Sequence, residues 1–168
     1  MEKSVAVAKA LESIDEARVV SLVQEVCRIP SVLGDELAFA KYLVDVMNDS
    51  DFTDVRLQDV LPDRPNAIGE LDFGAGPRVV LTGHLDTKPA SIGWTVTEPF
   101  SGELIDGHVY GHGIMDMKAA LVCQLVAAEA VRASGVPVAG TLAFAGVSDH
   151  MGDQIGSIRY FDEYSADL

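Results

Sequence analysis

The chain has 168 residues, and 26 aspartates and glutamates outnumber 12 lysines and arginines, which gives a formal net charge of −14. This charge argues against binding to nucleic acid or to an anionic membrane, because no basic stripe is present to neutralise phosphates. Hydrophobic residues make up 48% and charged residues 23% of the chain, which is typical of one globular domain and excludes a disordered segment.

Two helices are predicted in the first third of the chain. Ser13 and Glu16 have the spacing of a capping box, and apolar residues follow at helical intervals. This helix is expected to end near Ile29, because a proline follows. A second helix is predicted over residues 35–48, where an apolar stripe repeats with the same period.

The middle of the chain is rich in predicted strands. Alternation or apolar runs predict strands over residues 55–58, 66–71, 79–84 and 141–147. The dipeptide at 106–107 is Asp-Gly between two apolar runs, which predicts a β-hairpin. An apolar helix is predicted over residues 117–132. This order of elements predicts an α/β layer architecture.

The two cysteines and the N-terminus bear on the cellular compartment. Cys27 and Cys123 both lie in apolar helical patterns, so we expect buried thiols and no disulfide. The N-terminal residues lack an apolar core of signal-peptide length, and no stretch is long enough to span a bilayer. The sequence therefore predicts a cytoplasmic protein.

Polar clusters follow the predicted strands. His84 and Asp86 come directly after one strand, and Asp149 and His150 follow another. Because ligand sites in open α/β sheets lie beyond the carboxyl ends of strands, these clusters predict a shared site. Imidazole is a good ligand for divalent cations, and a carboxylate can ligate the metal or orient the imidazole. The alternative for each cluster is an ordinary polar turn.

A glycine-rich segment precedes the apolar helix. Gly111 and Gly113 would let the backbone approach a ligand closely, so that Asp116 directs its carboxylate at a cation. A dinucleotide fingerprint is disfavoured, because the third glycine is missing and a hairpin precedes the segment. The alternative is that Asp116 only caps the helix. His112 is a candidate substrate contact, and His108 is assigned to the hairpin.

Two motifs, in this order and separation, resemble those of the M20 family of metallopeptidases. They are Gly83-His84-Leu85-Asp86-Thr87-x-Pro89 and Gly111-x-Gly113-x-x-Asp116-Met117-Lys118. The resemblance covers nearly all of the chain. It implies a three-layer α/β/α zinc-peptidase-like catalytic domain with a mixed, mostly parallel sheet that is incomplete at its C-terminus.

The resemblance also implies roles for individual residues. His84 would bind one metal, Asp86 would orient His84, and Asp116 would bridge two metals, Zn²⁺ or Co²⁺. The third motif of the family is a Glu-Glu pair, and Asp149-His150 occupies its place. By this likeness Asp149 is the general base and His150 is a metal ligand.

The third motif departs from the family pattern in two ways. An aspartate at position 149 is shorter than a glutamate by one bond of ~1.5 Å, and a general base must reach its water. A histidine at position 150 replaces an anion with a neutral donor, which leaves less negative charge to hold two dications. Either the site has a changed geometry and metal preference, or catalysis is weakened.

The resemblance implies that residues 1–168 form only the N-terminal portion of a metallohydrolase catalytic domain. By the same resemblance, we expect a lid and dimerisation domain and the C-terminal part of the catalytic domain to lie outside these residues, and the full-length parent to be a homodimer. The predicted function is metal-dependent hydrolysis of amide bonds in peptides or N-acyl amino acids. The alternative is an impaired or inactive fragment, a pseudoenzyme that only binds metal, peptide or a partner chain.

Overall fold

Residues 2–167, which the computed structural model describes, contain five α-helices and six β-strands. The helices are α1 (Lys3–Glu12), α2 (Glu16–Cys27), α3 (Leu37–Asn48), α4 (Ala119–Ser134) and α5 (Ile155–Glu163). The strands are β1 (Thr53–Leu61), β2 (Arg64–Asp72), β3 (Arg78–His84), β4 (Glu103–Ile105), β5 (His108–Tyr110) and β6 (Thr141–Val147).

Four strands form one mixed sheet in the order β1-β2-β6-β3. β1 pairs with β2 and β2 pairs with β6 in antiparallel fashion, whereas β3 and β6 are parallel. The predicted mixed sheet is confirmed, but the expectation of a mostly parallel sheet is wrong for these strands. The short connection between β1 and β2 permits only an antiparallel hairpin, whereas the crossover from β3 to β6 includes α4 and permits a parallel pair.

The hairpin of β4 and β5 is separate from this sheet and confirms the prediction from Asp106 and Gly107. Both turn residues have positive φ, 49° at Asp106 and 77° at Gly107. Such angles suit a two-residue turn whose twist matches the flanking strands, and aspartate and glycine tolerate them better than other residues.

Helices cover both faces of the main sheet. α2, α3 and α4 bury the larger core on one face, where Phe39 and Leu43 of α3 and Leu125 of α4 pack with Phe144 of the sheet. On the other face, Tyr160 of α5 packs against apolar residues of β2 and β6. The predicted three-layer α/β/α arrangement is therefore confirmed.

The start of the chain differs from the prediction in the cap of α2 and in an additional helix, α1. Asp15, and not Ser13, caps α2, because the Asp15 carboxylate accepts hydrogen bonds from the N–H groups of Ala17 and Arg18. The Ser13 hydroxyl donates instead to the carbonyl of Lys9 at the end of α1. α1 was not predicted from the sequence, because it contains no buried residue and therefore carries no clear apolar stripe.

Both cysteines are free, as expected, but only one of them is buried. Burial is the main reason that the pKa of the Cys27 thiol is raised. Cys123 is exposed, so the expectation of a second buried thiol is wrong. It lies on α4 next to the fully buried Val122, where the helix turns one face to the core and another to solvent.

Within the described residues, no helix combines the length and the apolar character that a membrane crossing requires.

Candidate metal centre

The parallel pairing of β3 and β6 brings two of the predicted clusters to one edge of the sheet. His84, the last residue of β3, lies in register with Val147, the last residue of β6. The residues that follow both strands therefore leave the sheet side by side. His84 itself is buried, with 6% of its surface exposed.

His84 and Asp116 are in direct contact. Nδ1 of His84 lies 2.8 Å from the backbone carbonyl oxygen of Asp86, which can only accept a hydrogen bond, so Nδ1 carries the proton. In the neutral ring, Nε2 is then an acceptor, yet it lies 3.0 Å from Oδ1 of Asp116. A carboxylate is also an acceptor, and two acceptors at this distance require a shared proton or a cation between them.

The donor set of this pair fits a divalent metal ion. Imidazole nitrogen and carboxylate oxygen are the ligand types that Zn²⁺ binds. A cation between His84 Nε2 and Asp116 Oδ1 would satisfy both acceptors. Within residues 2–167, however, no group of three or more His, Cys, Asp or Glu side chains is arranged to hold a metal. The described residues therefore bring two candidate metal ligands together and do not supply a complete ligand set.

Asp116 lies on an irregular turn, Ile114–Lys118, that leads into α4. Its side chain is 73% exposed, and its peptide bond to Met117 is cis. Lys118 occupies the N-cap position of α4, which has no side-chain cap. The alternative that Asp116 is only the helix cap is therefore wrong, and its carboxylate is free to face His84.

The two glycines before this turn permit close packing within the protein. A Cβ at Gly111 would lie 1.7 Å from Sγ of Cys27, and a Cβ at Gly113 would lie 2.6 Å from Cγ2 of Thr87. Gly113 also has a φ of 75°, which favours glycine. Both glycines also line the cavity that contains Asp116, so the expectation that they admit a ligand stays a prediction beside this packing role.

Lys118 fixes the C-terminal end of the turn that carries Asp116. This role of Lys118 was not predicted from the sequence. Its fully buried ammonium donates to the carbonyl oxygens of Val26, at 3.1 Å, and Ile29, and it lies 4.8 Å from the centre of the Phe39 ring. Burial lowers the pKa of Lys118 to about 8. The lysine therefore ties the Asp116 turn to the C-terminal end of α2, where unpaired carbonyls favour a cation.

Asp86 contacts the site differently from the expectation. The carbonyl oxygen of Asp86, and not its carboxylate, orients the His84 ring. The fully buried carboxylate accepts hydrogen bonds from the backbone N–H groups of His150, at 2.9 Å, and Met151, at 2.8 Å. Asp86 therefore joins the ends of β3 and β6, because its backbone holds one imidazole and its side chain holds the turn after β6.

His150 lies against His84, but the two histidines and Asp116 do not form a group of three side chains that could hold a metal ion. The two imidazole rings are stacked, with centroids 4.4 Å apart and planes 11° from parallel. The next residue, Met151, lines a cavity of about 260 Å³ together with Asp116. Positions 150 and 151 are therefore the two residues after β6 that reach the predicted site.

Asp149 is not brought to the His84–Asp116 pair. Its carboxylate accepts hydrogen bonds from Arg64, at 2.8 Å, and from the backbone N–H groups of Asp153 and Ile155. Burial by itself would raise the pKa of the Asp149 carboxyl, but these hydrogen bonds and the guanidinium charge bring the pKa below its ordinary value. The general-base role stays a prediction, and this geometry does not support it.

The remaining histidines differ in their relation to the site. His112 lines the same cavity as Asp116, and its Nε2 lies 2.7 Å from the carbonyl oxygen of Lys88. It remains a candidate substrate contact. His108 is exposed on the hairpin, with Nδ1 2.9 Å from the carbonyl oxygen of Asp106, and its exclusion from the site agrees with this position.

Comparison of sequences relates the chain to named enzymes. A succinyl-diaminopimelate desuccinylase from Methylorubrum extorquens (strain PA1) is 32% identical over 148 residues, which cover 84% of this chain and 38% of that protein. The enzyme of the same name from Xanthomonas oryzae pv. oryzae (strain PXO99A) is 40% identical over 100 residues, or 55% of this chain and 26% of that protein. The chain thus spans well under half the length of these relatives.

Comparison of structures shows the same fold. An M20 family metallo-carboxypeptidase from Sulfolobus solfataricus superposes with a TM-score of 0.77 at 17% identity, over 92% of this chain and 36% of that one. A tripeptidase from Staphylococcus aureus gives a TM-score of 0.73 at 22% identity, over 92% of this chain and 42% of that one. A dinuclear metal-binding peptidase of the M20 family from Bacillus subtilis gives a TM-score of 0.53 at 17% identity, over 79% of this chain and 34% of that one.

A family-level match covers the site itself. The sequence profile of Peptidase family M20/M25/M40 matches residues 80–165, which is just over half of the 168-residue chain. This range includes His84, Asp86, Asp116 and the turn after β6. The chain belongs to Peptidase family M20/M25/M40.

Proposed function

We propose that this chain is the N-terminal portion of a metallohydrolase catalytic domain that cleaves amide bonds of peptides or N-acyl amino acids. The contact of 3.0 Å between Nε2 of His84 and Oδ1 of Asp116 carries the proposal, because a cation bound by both atoms would satisfy these two acceptors. Membership in a metallopeptidase family supports the same chemistry.

The substrate class follows from the relatives. The desuccinylases remove an acyl group from an amino acid, and the tripeptidase and carboxypeptidase act on peptides, so an amide carbonyl is common to all of them. Several relatives of this chain are desuccinylases, which favours an N-acyl amino acid with an acidic acyl group.

The metal would be Zn²⁺ or Co²⁺, with two ions in the complete site. His84 and Asp116 would hold it, with Asp116 bridging both ions and His150 as a further ligand. When bound, such ions polarise the substrate carbonyl and lower the pKa of a water molecule. Of the chain's own groups, the Asp86 carbonyl keeps the Nε2 lone pair of His84 directed at the metal position.

A second candidate function is a non-catalytic member of the family that binds metal, peptide or a partner chain. Two observations favour it. The described residues contain no group of three metal-binding side chains, and the residue predicted as general base is bound by Arg64. The lid and dimerisation domain, the rest of the catalytic domain, a homodimeric parent and a cytoplasmic location remain proposals from the sequence analysis.

Metal loading followed by turnover assays separates the two functions. Purified protein is titrated with Zn²⁺ and Co²⁺ and assayed against dipeptides and N-acetyl and N-succinyl amino acids, beside His84→Ala and Asp116→Asn. Metal-dependent turnover that both variants abolish supports the hydrolase. Metal binding without turnover of any substrate supports the non-catalytic function, and failure to bind metal refutes both metal-based proposals.

A further inference from the structure

A buried ion network lies behind the turn that follows β6. Arg64 donates from Nε and Nη2 to both carboxylate oxygens of Glu36, at 2.8 Å and 2.7 Å. The same Nη2 donates to Oδ1 of Asp149 at 2.8 Å. Glu36 is fully buried and Asp149 is 5% exposed, so this guanidinium is the group that compensates both charges.

The Asp149 carboxylate forms the centre of the turn. Its Oδ2 accepts from the N–H groups of Asp153, at 3.0 Å, and Ile155, at 3.4 Å. Gly152 passes so close that a Cβ there would lie 2.5 Å from Oδ1 of Asp149. The backbone between Asp149 and α5 is therefore wrapped around one carboxylate, which Arg64 anchors from β2.

The same turn carries the residues that reach the metal centre. The N–H groups of His150 and Met151 donate to Asp86, and the His150 ring stacks on His84. If Asp149 lost its contact with Arg64, its carboxylate would no longer hold the turn in place. The Asp86 contacts alone would then have to hold His150 against His84.

We propose that Asp149 is a positioning residue: Glu36 and Arg64 hold its carboxylate, which fixes the turn that presents His150 to His84. His150, and not Asp149, is then the residue of this cluster that meets the metal centre. This inference rests on the proposed function for its catalytic meaning. Its structural content, that Asp149 sets the position of the His150 ring, is independent of any metal.

Three variants test the inference in the full chain. Asp149→Ala removes the anchor, whereas Asp149→Asn retains an oxygen that can accept from Asp153 and Ile155. Arg64→Lys keeps the charge but loses the bidentate hydrogen bonding to Glu36. Arg56→Lys is the matched control, because Arg56 is also an arginine of the sheet with two carboxylate partners, Asp54 and Glu163.

The first measurement uses the metal-free protein, in which NMR records the ring signals of the histidines. Stacked rings shift each other's signals, so Asp149→Ala should move those of His84 and His150 together and leave His108 unchanged. Asp149→Asn and Arg64→Lys should give smaller shifts, and Arg56→Lys should give none. Unchanged His84 and His150 signals in a folded Asp149→Ala protein would overturn the inference. If that variant does not fold, the Asn and Lys variants decide by the same criterion.

The second measurement is the absorption spectrum and dissociation constant of Co²⁺. Loss of a residue that orients a ligand typically weakens metal binding 10- to 100-fold. We expect a weakening of about 10-fold in Asp149→Ala with unchanged stoichiometry, partial rescue in Asp149→Asn, and no change in Arg56→Lys. A purely structural brace would lower the unfolding temperature and leave the Co²⁺ spectrum and affinity unchanged. If the wild type binds no Co²⁺, the proposed function fails, and the NMR result still decides the positioning role.

Discussion

Nε2 of His84 lies 3.0 Å from Oδ1 of Asp116, although the two residues are 32 positions apart in the chain. One residue ends a strand of the main sheet and the other lies on a turn before α4. The carbonyl of Asp86 sets the tautomer of the imidazole, so that an acceptor nitrogen faces the carboxylate. This contact is the basis for the proposed metal centre.

Replacement of Asp116 by asparagine should abolish metal binding without harming the fold. The Asp116 side chain is 73% exposed, and surface substitutions usually change stability by within about 0.5 kcal/mol. Isothermal titration with Zn²⁺ and thermal unfolding measure the two quantities. Asp106→Asn on the hairpin is the control, and undiminished Zn²⁺ affinity in Asp116→Asn would contradict the assignment of this ligand.

Replacement of Gly111 by alanine should destabilise the protein by overpacking against α2. The added Cβ would lie 1.7 Å from Sγ of Cys27, and such insertions typically cost about 1–3 kcal/mol. Urea unfolding of Gly111→Ala, Cys27→Ala and the double variant forms a mutant cycle. The double variant should be more stable than the sum of the single effects predicts. Strict additivity would show that Cys27 is not the obstacle.

The Lys118 ammonium should make stability rise with pH in the alkaline range. The folded protein releases the proton at a pKa of about 8, whereas the unfolded chain holds it to the ordinary value of 10.5. Between these values the unfolded state binds more protons, so the free energy of unfolding increases with pH, by at most about 3 kcal/mol. Below pH 8 the cost of burying the charge is present in full.

Lys118→Met is the variant that isolates this effect. Urea unfolding at intervals from pH 7 to 10.5 should show that the stability of the wild type minus that of the variant increases with pH. All other titrating groups are shared, so the difference between the two curves belongs to Lys118. Parallel curves would mean that the ammonium keeps its ordinary pKa in the folded protein.

The Asp149 carboxylate should contribute to the pH dependence of the free energy of unfolding in the acidic range. Its folded pKa lies below the ordinary 3.8, so its contribution is complete above that pH and is lost as the pH falls through the folded pKa. The stability difference between the wild type and Asp149→Asn should therefore be constant from pH 7 to 5 and shrink below 3.8. A difference that does not change with acidification would show that the carboxylate charge is not stabilised by Arg64.

The hairpin and the His84–Asp116 pair could be predicted from the sequence for different reasons. Asp106 and Gly107 act locally, because the turn angles depend on those residues themselves. His84 and Asp116 were found by motif and family resemblance. The direction of the Asp149 carboxylate was not accessible, because its partner Arg64 is 85 positions away on another strand. The same applies to Asp86, whose buried carboxylate serves the turn after β6, 64 and 65 positions later.

By itself, the sequence determined the family, the α/β layers and the two residues, His84 and Asp116, that meet beyond the strand ends. These follow from hydrophobic periodicity and short motifs, which neighbouring residues encode. Only the tertiary structure decided which atom of each residue faces the centre and which residue merely holds another in place. A buried carboxylate takes the donors that the packed chain supplies. For Asp149 the donor side chain is Arg64 on β2, and for Asp86 the donors lie in the turn after β6, and both sets are far away in sequence.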